Sequence, residues 1–112
     1  MGMVINQFEI YRVPLDPTTG SEIKKTRPCI VVSPDEINHN IMTVIVAPMT
    51  TAGKKYPSRV PIEFKGKKGM VALDQIRTVD KSRLLKKAGT ANKKTSEKIA
   101  TVLQEMFTYK IP

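Results

Sequence analysis

A chain of 112 residues with 40% apolar side chains can fill one hydrophobic core, while its single Cys29 and single His39 exclude an internal disulfide and a Cys/His zinc site. Lys and Arg number 19 against 10 Asp and Glu, a net +9 that favours a polyanion or a strongly acidic protein as partner over a small acidic substrate. The opening residues lack a basic segment followed by a long apolar one, and no window approaches the roughly 18 apolar residues of a membrane span, so a soluble, reduced, cytoplasmic protein without membrane contact is expected.

Phe8 to Val13 has the pattern of a first strand, and Pro14, Pro17 and Gly20 then punctuate a loop reaching to Pro28. Loops of that length in small domains are usually functional or disordered. Cys29 to Val32 and Thr43 to Ala47 are continuous, β-branched runs, the pattern of strands buried on both faces. Asp35, Glu36 and His39 fall in a polar turn between them. Val60, Ile62 and Phe64 alternate with Arg59, Pro61 and Glu63, which predicts a half-buried strand, and Pro61 places it at an edge or bulge. A further short strand pair is predicted over Met70 to Leu73 and Ile76 to Val79.

The ending has a different period. From Thr95 as N-cap, Ile99, Val102, Leu103 and Met106 recur at helical spacing, predicting one amphipathic helix. The whole is one domain, 1–112, of mainly β (α+β) class: a small curled sheet or partly open barrel capped by a C-terminal helix. Charge is uneven along it. Residues 1–64 carry seven basic and six acidic side chains, net +1, whereas residues 65–112 carry twelve and four, net +8. Lys65, Lys67 and Lys68 and the later Lys86, Lys87, Lys93 and Lys94 flank turn residues, as solvated loop lysines or as part of an RNA groove. With no Trp and three each of Tyr and Phe, a nucleic-acid site here would rest on charge more than on stacking.

Counting removes several chemistries. One histidine cannot run a two-histidine ribonuclease mechanism, and ten scattered carboxylates do not suggest a two-metal nuclease, so neither a metal nor another cofactor is expected. No phosphate-binding glycine loop and no serine-hydrolase elbow is present. What remains is the polar stretch from Leu15 to Pro28, in which Arg27 is separated by one residue from the predicted buried strand. A guanidinium on a strand end can bind phosphate through two parallel hydrogen bonds and neutralise charge that builds up in phosphoryl transfer. It can equally pair with Asp16 or Glu22 to pin the loop, and composition alone favours that ion pair.

Leu15-Asp16-Pro17-Thr18, Gly20-Ser21-Glu22 and Lys25-Thr26-Arg27-Pro28, followed by an apolar strand ending Val32-Ser33-Pro34, resemble the signature of the MazF/PemK family of toxin endoribonucleases. Ala47-Pro48-Met49-Thr50-Thr51 resembles the family's second-strand end, and Val71-Ala72-Leu73-Asp74-Gln75-Ile76-Arg77-Thr78-Val79-Asp80 its central run. The resemblance implies an SH3-like barrel with a C-terminal helix. It also implies a homodimer that cuts single-stranded mRNA at short sequences without metal, held inactive by an acidic, partly disordered antitoxin. On this resemblance Arg27, Thr50 and Glu22 are the candidate catalytic residues. Asp74 and Gln75 match positions implicated in RNA contacts, and Ser21, Lys25, Thr51 and Arg77 complete the candidate RNA-binding set. Ser21 stands where some members carry His and Ala72 where some carry Arg, so the acid/base division of those members does not transfer.

RNA carries its own nucleophile, the 2′-OH, so the implied reaction needs alignment and charge stabilisation and no covalent residue, giving a 2′,3′-cyclic phosphate and a 5′-OH. Glu22 either takes the proton or only orients Arg27 or a base. Lys54, Lys55 and Tyr56 either line the substrate path or form an exposed loop. Two other functions fit the charge: a non-catalytic basic barrel that binds RNA or a ribosomal surface, and a fold relative that poisons DNA gyrase by protein contact.

Overall fold

The computed structural model describes residues 4–51 and 55–112. Seven strands are present among the described residues: β1 Glu9–Pro14, β2 Thr26–Val31, β3 Thr43–Thr50, β4 Arg59–Phe64, β5 Lys67–Ala72, β6 Arg77–Asp80 and β7 Lys87–Thr90. One helical turn, α1 Asp35–Asn38, joins β2 to β3, and a longer helix, α2 Lys93–Phe107, closes the fold. The strands form an antiparallel curled sheet in the order β4-β5-β3-β2-β1-β7. β3 organises the curl because its partner changes along its length: Thr43–Val46 pair with β6, whereas Met49 and Thr50 pair with β5.

Burial on both faces follows from strict alternation. Ile10, Ile30, Ala47 and Met49 point into one core with Val60, Val71 and Leu73, closed by Ile99 and Val102 of α2. Tyr11, Val13, Cys29, Val31, Val44 and Val46 point into the second core on the opposite face, with Ile5, Leu15, Val79 and Leu84. The unbroken apolar runs predicted this, since a strand covered on both faces has no solvent side for polar residues. Pro61 lies in β4 at the edge of the sheet, where its missing N–H costs no ladder bond. Lys65 and Gly66 both adopt positive φ, 51° and 77°, in a two-residue turn that sets Phe64 opposite Lys67. That is the turn whose twist matches antiparallel strands.

Four expectations are corrected. β2 starts at Thr26 rather than Cys29, because Arg27 and Thr26 continue the ladder opposite Val13 and Pro14. Met70–Leu73 and Ile76–Val79 do not pair with each other. A 3-10 turn, Leu73–Gln75, separates them and each pairs with β3. The segment around Lys87 and Gly89 is a strand on β1 rather than a turn, tied by an ion pair of 2.8 Å between Lys87 Nζ and the buried Glu9. The N-cap of α2 is Asn92, whose Oδ1 accepts from the Thr95 N–H at 2.8 Å, so the helix begins before Thr95. No helix among the described residues is long and apolar enough to cross a membrane.

Candidate functional site: two clefts around the β1–β2 loop

The β1–β2 loop is anchored by buried Leu15 and half-buried Ile23 on the second core, and hydrogen bonds fix its polar remainder. Its two ends meet where Leu15 N–H donates to the Lys25 carbonyl at 3.0 Å and Asp16 Oδ2 accepts from Lys25 N–H at 3.1 Å. Lys25 adopts φ 71°, a left-handed conformation that costs a non-glycine residue about 1–2 kcal/mol and persists only where neighbours impose it. Across the loop, Gln75 accepts from Ile23 N–H at 2.6 Å and donates to the Ser21 carbonyl at 3.3 Å. Arg77 Nη1 donates to the Leu15 carbonyl at 2.8 Å, and Arg83 Nη2 donates to the carbonyls of Asp16, at 3.0 Å, and Pro14. Three side chains from the 75–83 segment therefore hold the loop by its backbone.

This arrangement fixes Arg27. Its Nε donates to the Lys24 carbonyl at 3.1 Å, one residue before the constrained Lys25, which leaves the two Nη groups for a ligand. The predicted alternative, an ion pair with Asp16 or Glu22, is not what the structure has. The ion pairs among the described residues are Arg59–Asp74 and Lys87–Glu9. Asp16 spends its carboxylate on Lys25 N–H and the Thr18 hydroxyl, and Glu22 Oε1 accepts from Thr19 N–H at 2.7 Å. Both carboxylates take part in shaping the loop, Asp16 through both oxygens and Glu22 through one.

The predicted site residues divide between two clefts. One, of about 320 Å³, brings together Arg27, Thr50 and Thr51 with Thr26, Met49 and Gly69. The ladder that pairs Cys29 with Pro48 carries Arg27 and Thr50 to this rim from strands more than twenty residues apart in the chain. Gly69 is a close-approach position: a Cβ there would stand 2.9 Å from the Thr50 carbonyl oxygen. The other cleft, of about 570 Å³, is lined by Ser21, Glu22, Asp74, Gln75 and Arg77. Lys25 is exposed on the loop and lines neither. Lys54 lies outside the described residues. Lys55 and Tyr56 are exposed, and the Tyr56 ring lies 5.6 Å from the Arg59 guanidinium.

Asp74 is not a free acceptor. Arg59 grips it through Nε at 2.6 Å and Nη2 at 2.9 Å, and the Ser58 hydroxyl donates at 2.9 Å. The Arg59 bond, opposed by partial burial, holds its carboxyl below the usual value of 3.8. Sequence reading missed Arg59, because an edge-strand arginine gives no hint of a partner fifteen positions on. It also missed Arg12 and Gly69, which line the Arg27 cleft with Lys67 and Lys68, the lysines read either as solvated loop residues or as part of an RNA groove. Strand alternation marks Arg12 as outward-facing, but nothing local ties it to a site. His39 is an exposed surface residue hydrogen-bonded to Asn6 at 2.9 Å. Asp35 accepts from Gln7 N–H at 2.7 Å and opens α1 rather than a solvated turn.

The family model described as PemK-like, MazF-like toxin of type II toxin-antitoxin systems matches residues 6–107. The Endoribonuclease EndoA of Bacillus subtilis (strain 168) is 32% identical over 108 residues, covering 91% of this chain and 93% of its own. The Endoribonuclease MazF of Staphylococcus epidermidis is 38% identical over 90 residues, 75% of each chain. A solved mycobacterial endoribonuclease in complex with its cognate antitoxin has the same fold, with a TM-score of 0.79 at 24% identity over 96% of this chain and 99% of that one. Since the family match runs from before β1 to the end of α2, this chain belongs to the PemK-like, MazF-like toxins of type II toxin-antitoxin systems.

Proposed function

We propose that this protein is a sequence-specific endoribonuclease toxin that cuts single-stranded mRNA in the cytoplasm by transesterification without a metal ion. The carrying observation is the convergence of Arg27 and Thr50 on one small cleft. Anchored at Nε, Arg27 presents its Nη edge as a fork suited to two phosphoryl oxygens. Thr50 lines the same cleft from the end of β3. Together they stabilise the charge that develops on phosphorus as the 2′-OH of the substrate attacks in line, leaving a 2′,3′-cyclic phosphate and a 5′-OH. The role of Arg27 in this reading is charge stabilisation on the phosphoryl group. Glu22 lines the neighbouring cleft with one carboxylate oxygen on Thr19 N–H, which supports a loop-ordering role for it over that of general base.

The toxin acts as a homodimer and is neutralised by an acidic, partly disordered antitoxin. The net +9 supports such a partner, as does the antitoxin bound to the mycobacterial structure. The test is cleavage of a long single-stranded RNA in excess EDTA by the protein and by Arg27→Ala, with fragment ends mapped chemically. Cutting at a short recurring sequence that survives EDTA, leaves cyclic-phosphate ends and is lost in Arg27→Ala is expected. Intact RNA that is merely bound in a salt-sensitive way would replace this reading with a basic RNA-binding barrel. Toxicity that persists in Arg27→Ala would replace it with protein contact such as gyrase poisoning.

A further inference from the structure

The Arg27 cleft extends beyond the two residues used above. It is lined by four cations, Arg12, Arg27, Lys67 and Lys68, and by no carboxylate, whereas the neighbouring cleft sets Glu22 and Asp74 against Arg77. None of the four takes part in the ion pairs found among the described residues. Four cations on the lining of one cleft of about 320 Å³, with Glu63 opposite Lys68 in the ladder but outside that lining, favour an entering polyanion. The volume falls at the lower end of small-ligand sites, enough for a discrete unit rather than a flat contact. Ile62 and Phe64 add apolar surface to the lining, and Lys65 sets its ammonium 5.5 Å from the Phe64 ring centre.

The cations are held by backbone rather than by long flexible loops. Lys67 and Lys68 directly follow the Lys65–Gly66 turn and sit opposite Phe64 and Glu63 in the β4–β5 ladder. Arg12 sits opposite Pro28, one residue from Arg27, in the β1–β2 ladder. We infer that this end of the cleft is a nucleotide subsite of single-stranded RNA: Arg12, Lys67 and Lys68 hold the phosphodiester next to the scissile one, with the attached base against Phe64 and Ile62. The inference rests on the ribonuclease reading and extends it by one nucleotide. The subsite supplies affinity and register, while Arg27 and Thr50 act on the reacting phosphate.

The experiment measures binding of a 2′-O-methyl RNA oligonucleotide, which lacks the nucleophile, by fluorescence anisotropy over a salt series. Wild type, Lys67→Ala/Lys68→Ala and Lys98→Ala/Lys110→Ala are compared, the last pair removing the same charge from α2 and the C-terminal segment. Each phosphate no longer neutralised lowers the slope of log K against log salt by about 0.7 for a single strand, so the cleft variant, which loosens the hold on one phosphodiester, is expected to lose up to about 0.7 and the control to keep the wild-type slope. Equal slopes in wild type and cleft variant, or an equal drop in the control, overturn the subsite. Loss of salt-sensitive poly-glutamate binding with the RNA slope intact also overturns it and makes the occupant an acidic protein. Cleavage assays on the same proteins separate the two claims. If wild type cuts and Arg27→Ala does not, an unchanged slope sinks the subsite alone, whereas wild type that neither cuts nor binds RNA sinks both.

Discussion

The Gln75 side-chain carbonyl accepts the main-chain N–H of Ile23 at 2.6 Å, across 52 residues of sequence. Through the same amide group it donates to the Ser21 carbonyl, so one side chain holds two backbone groups of the loop that leads to Arg27. The resemblance predicts Gln75 as an RNA contact, yet both ends of its amide are engaged by protein.

Gln75→Ala should therefore act through the loop. The unpaired Ile23 N–H and Ser21 carbonyl are close enough to water to limit the stability cost to about 1–2 kcal/mol. The larger effect is on positioning, where a displacement of about 1 Å can cost on the order of a hundredfold in rate. Gln75→Glu keeps the acceptor for Ile23 and should recover part of the loss. RNA cleavage rates and limited proteolysis between residues 15 and 25 check this: a rate loss with no new proteolytic sensitivity would return Gln75 to direct RNA contact.

Asp74 carries a second prediction that separates structure from recognition. Its forked contact with Arg59 joins β4 to the 3-10 turn ahead of β6, with Arg59 at 11% side-chain exposure and Asp74 at 36%. Removing the carboxylate strands a largely buried guanidinium, whereas an exposed pair would be worth less than about 1 kcal/mol. For Asp74→Ala the expected loss is about 1–2 kcal/mol, a Tm drop of roughly 5–10 °C for a chain of this size. Arg59→Ala should lower Tm comparably, and the double variant should cost much less than the sum. Strictly additive losses in that cycle would show the pair to be uncoupled.

Stability should have both an acid and an alkaline limb. Burial raises the Glu9 pKa, but hydrogen bonds from Lys87, Asn6 and Tyr11 outweigh it and hold the group below its ordinary 4.5. Asp74 is likewise held below 3.8 by Arg59. Depressed carboxyls stabilise the fold above their unfolded values, and that contribution is lost as pH falls through the lower folded ones. At the other end, burial and the bond to Glu9 push Tyr11 from 10.0 up to about 12, and burial pushes the Cys29 thiol from 9.0 up to about 12. Raised acids of this kind stabilise the fold below the unfolded pKa, and the contribution fades between that value and the folded one. Tm against pH should be flat from about pH 5 to about pH 9 and fall outside it. Glu9→Gln should flatten the acid limb and Cys29→Ala the alkaline one, and unchanged limbs in both variants would refute the assignment.

The sheet was legible where burial leaves a pattern, as in Cys29 to Val32 and Thr43 to Ala47, whose alternate residues feed two different cores. β7 was not, because Lys87-Ala88-Gly89-Thr90 has no apolar period and exists as a strand through its pairing with β1. The start of α2 moved to Asn92 because Lys93 and Lys94 look like loop residues until the cap behind them is seen. For the site, the resemblance supplied Arg27 and Thr50 as a pair, and the structure brings them to one cleft. Distance decided the rest. Glu22, Asp74 and Gln75 belong to a neighbouring cleft, where Asp74 and Gln75 are tied up in long-range hydrogen bonds that no local pattern announces, while Lys67 and Lys68, which the sequence left as loop lysines or part of an RNA groove, are joined by Arg12 on the Arg27 cleft only through the fold.

Gly69 offers the sharpest test of the Arg27–Thr50 cleft, because its effect is transmitted through one contact. Its backbone conformation is open to any residue, so Gly69→Ala introduces no strained φ. The added methyl group would instead meet the Thr50 carbonyl oxygen at 2.9 Å, inside the distance that real Cβ atoms keep, with the Thr51 Cγ2 at 3.8 Å. Thr50 and Met70 are partners in the β3–β5 ladder, so the carbonyl can retreat only by moving the end of β3. Overpacking of this kind costs about 1–3 kcal/mol, and here part of that cost appears as displacement of Thr50 relative to Arg27. Cleavage should fall by at least about tenfold in kcat, with RNA affinity nearly unchanged because the cations of the cleft remain. Gly66→Ala is the contrast: its φ of 77° makes alanine unfavourable, but nothing lies within 4 Å of the new methyl. That variant should lose about 1 kcal/mol of stability and keep its kcat. If Gly69→Ala loses stability to the same extent as Gly66→Ala and retains kcat, Thr50 is either not displaced or not needed where the cleft holds it.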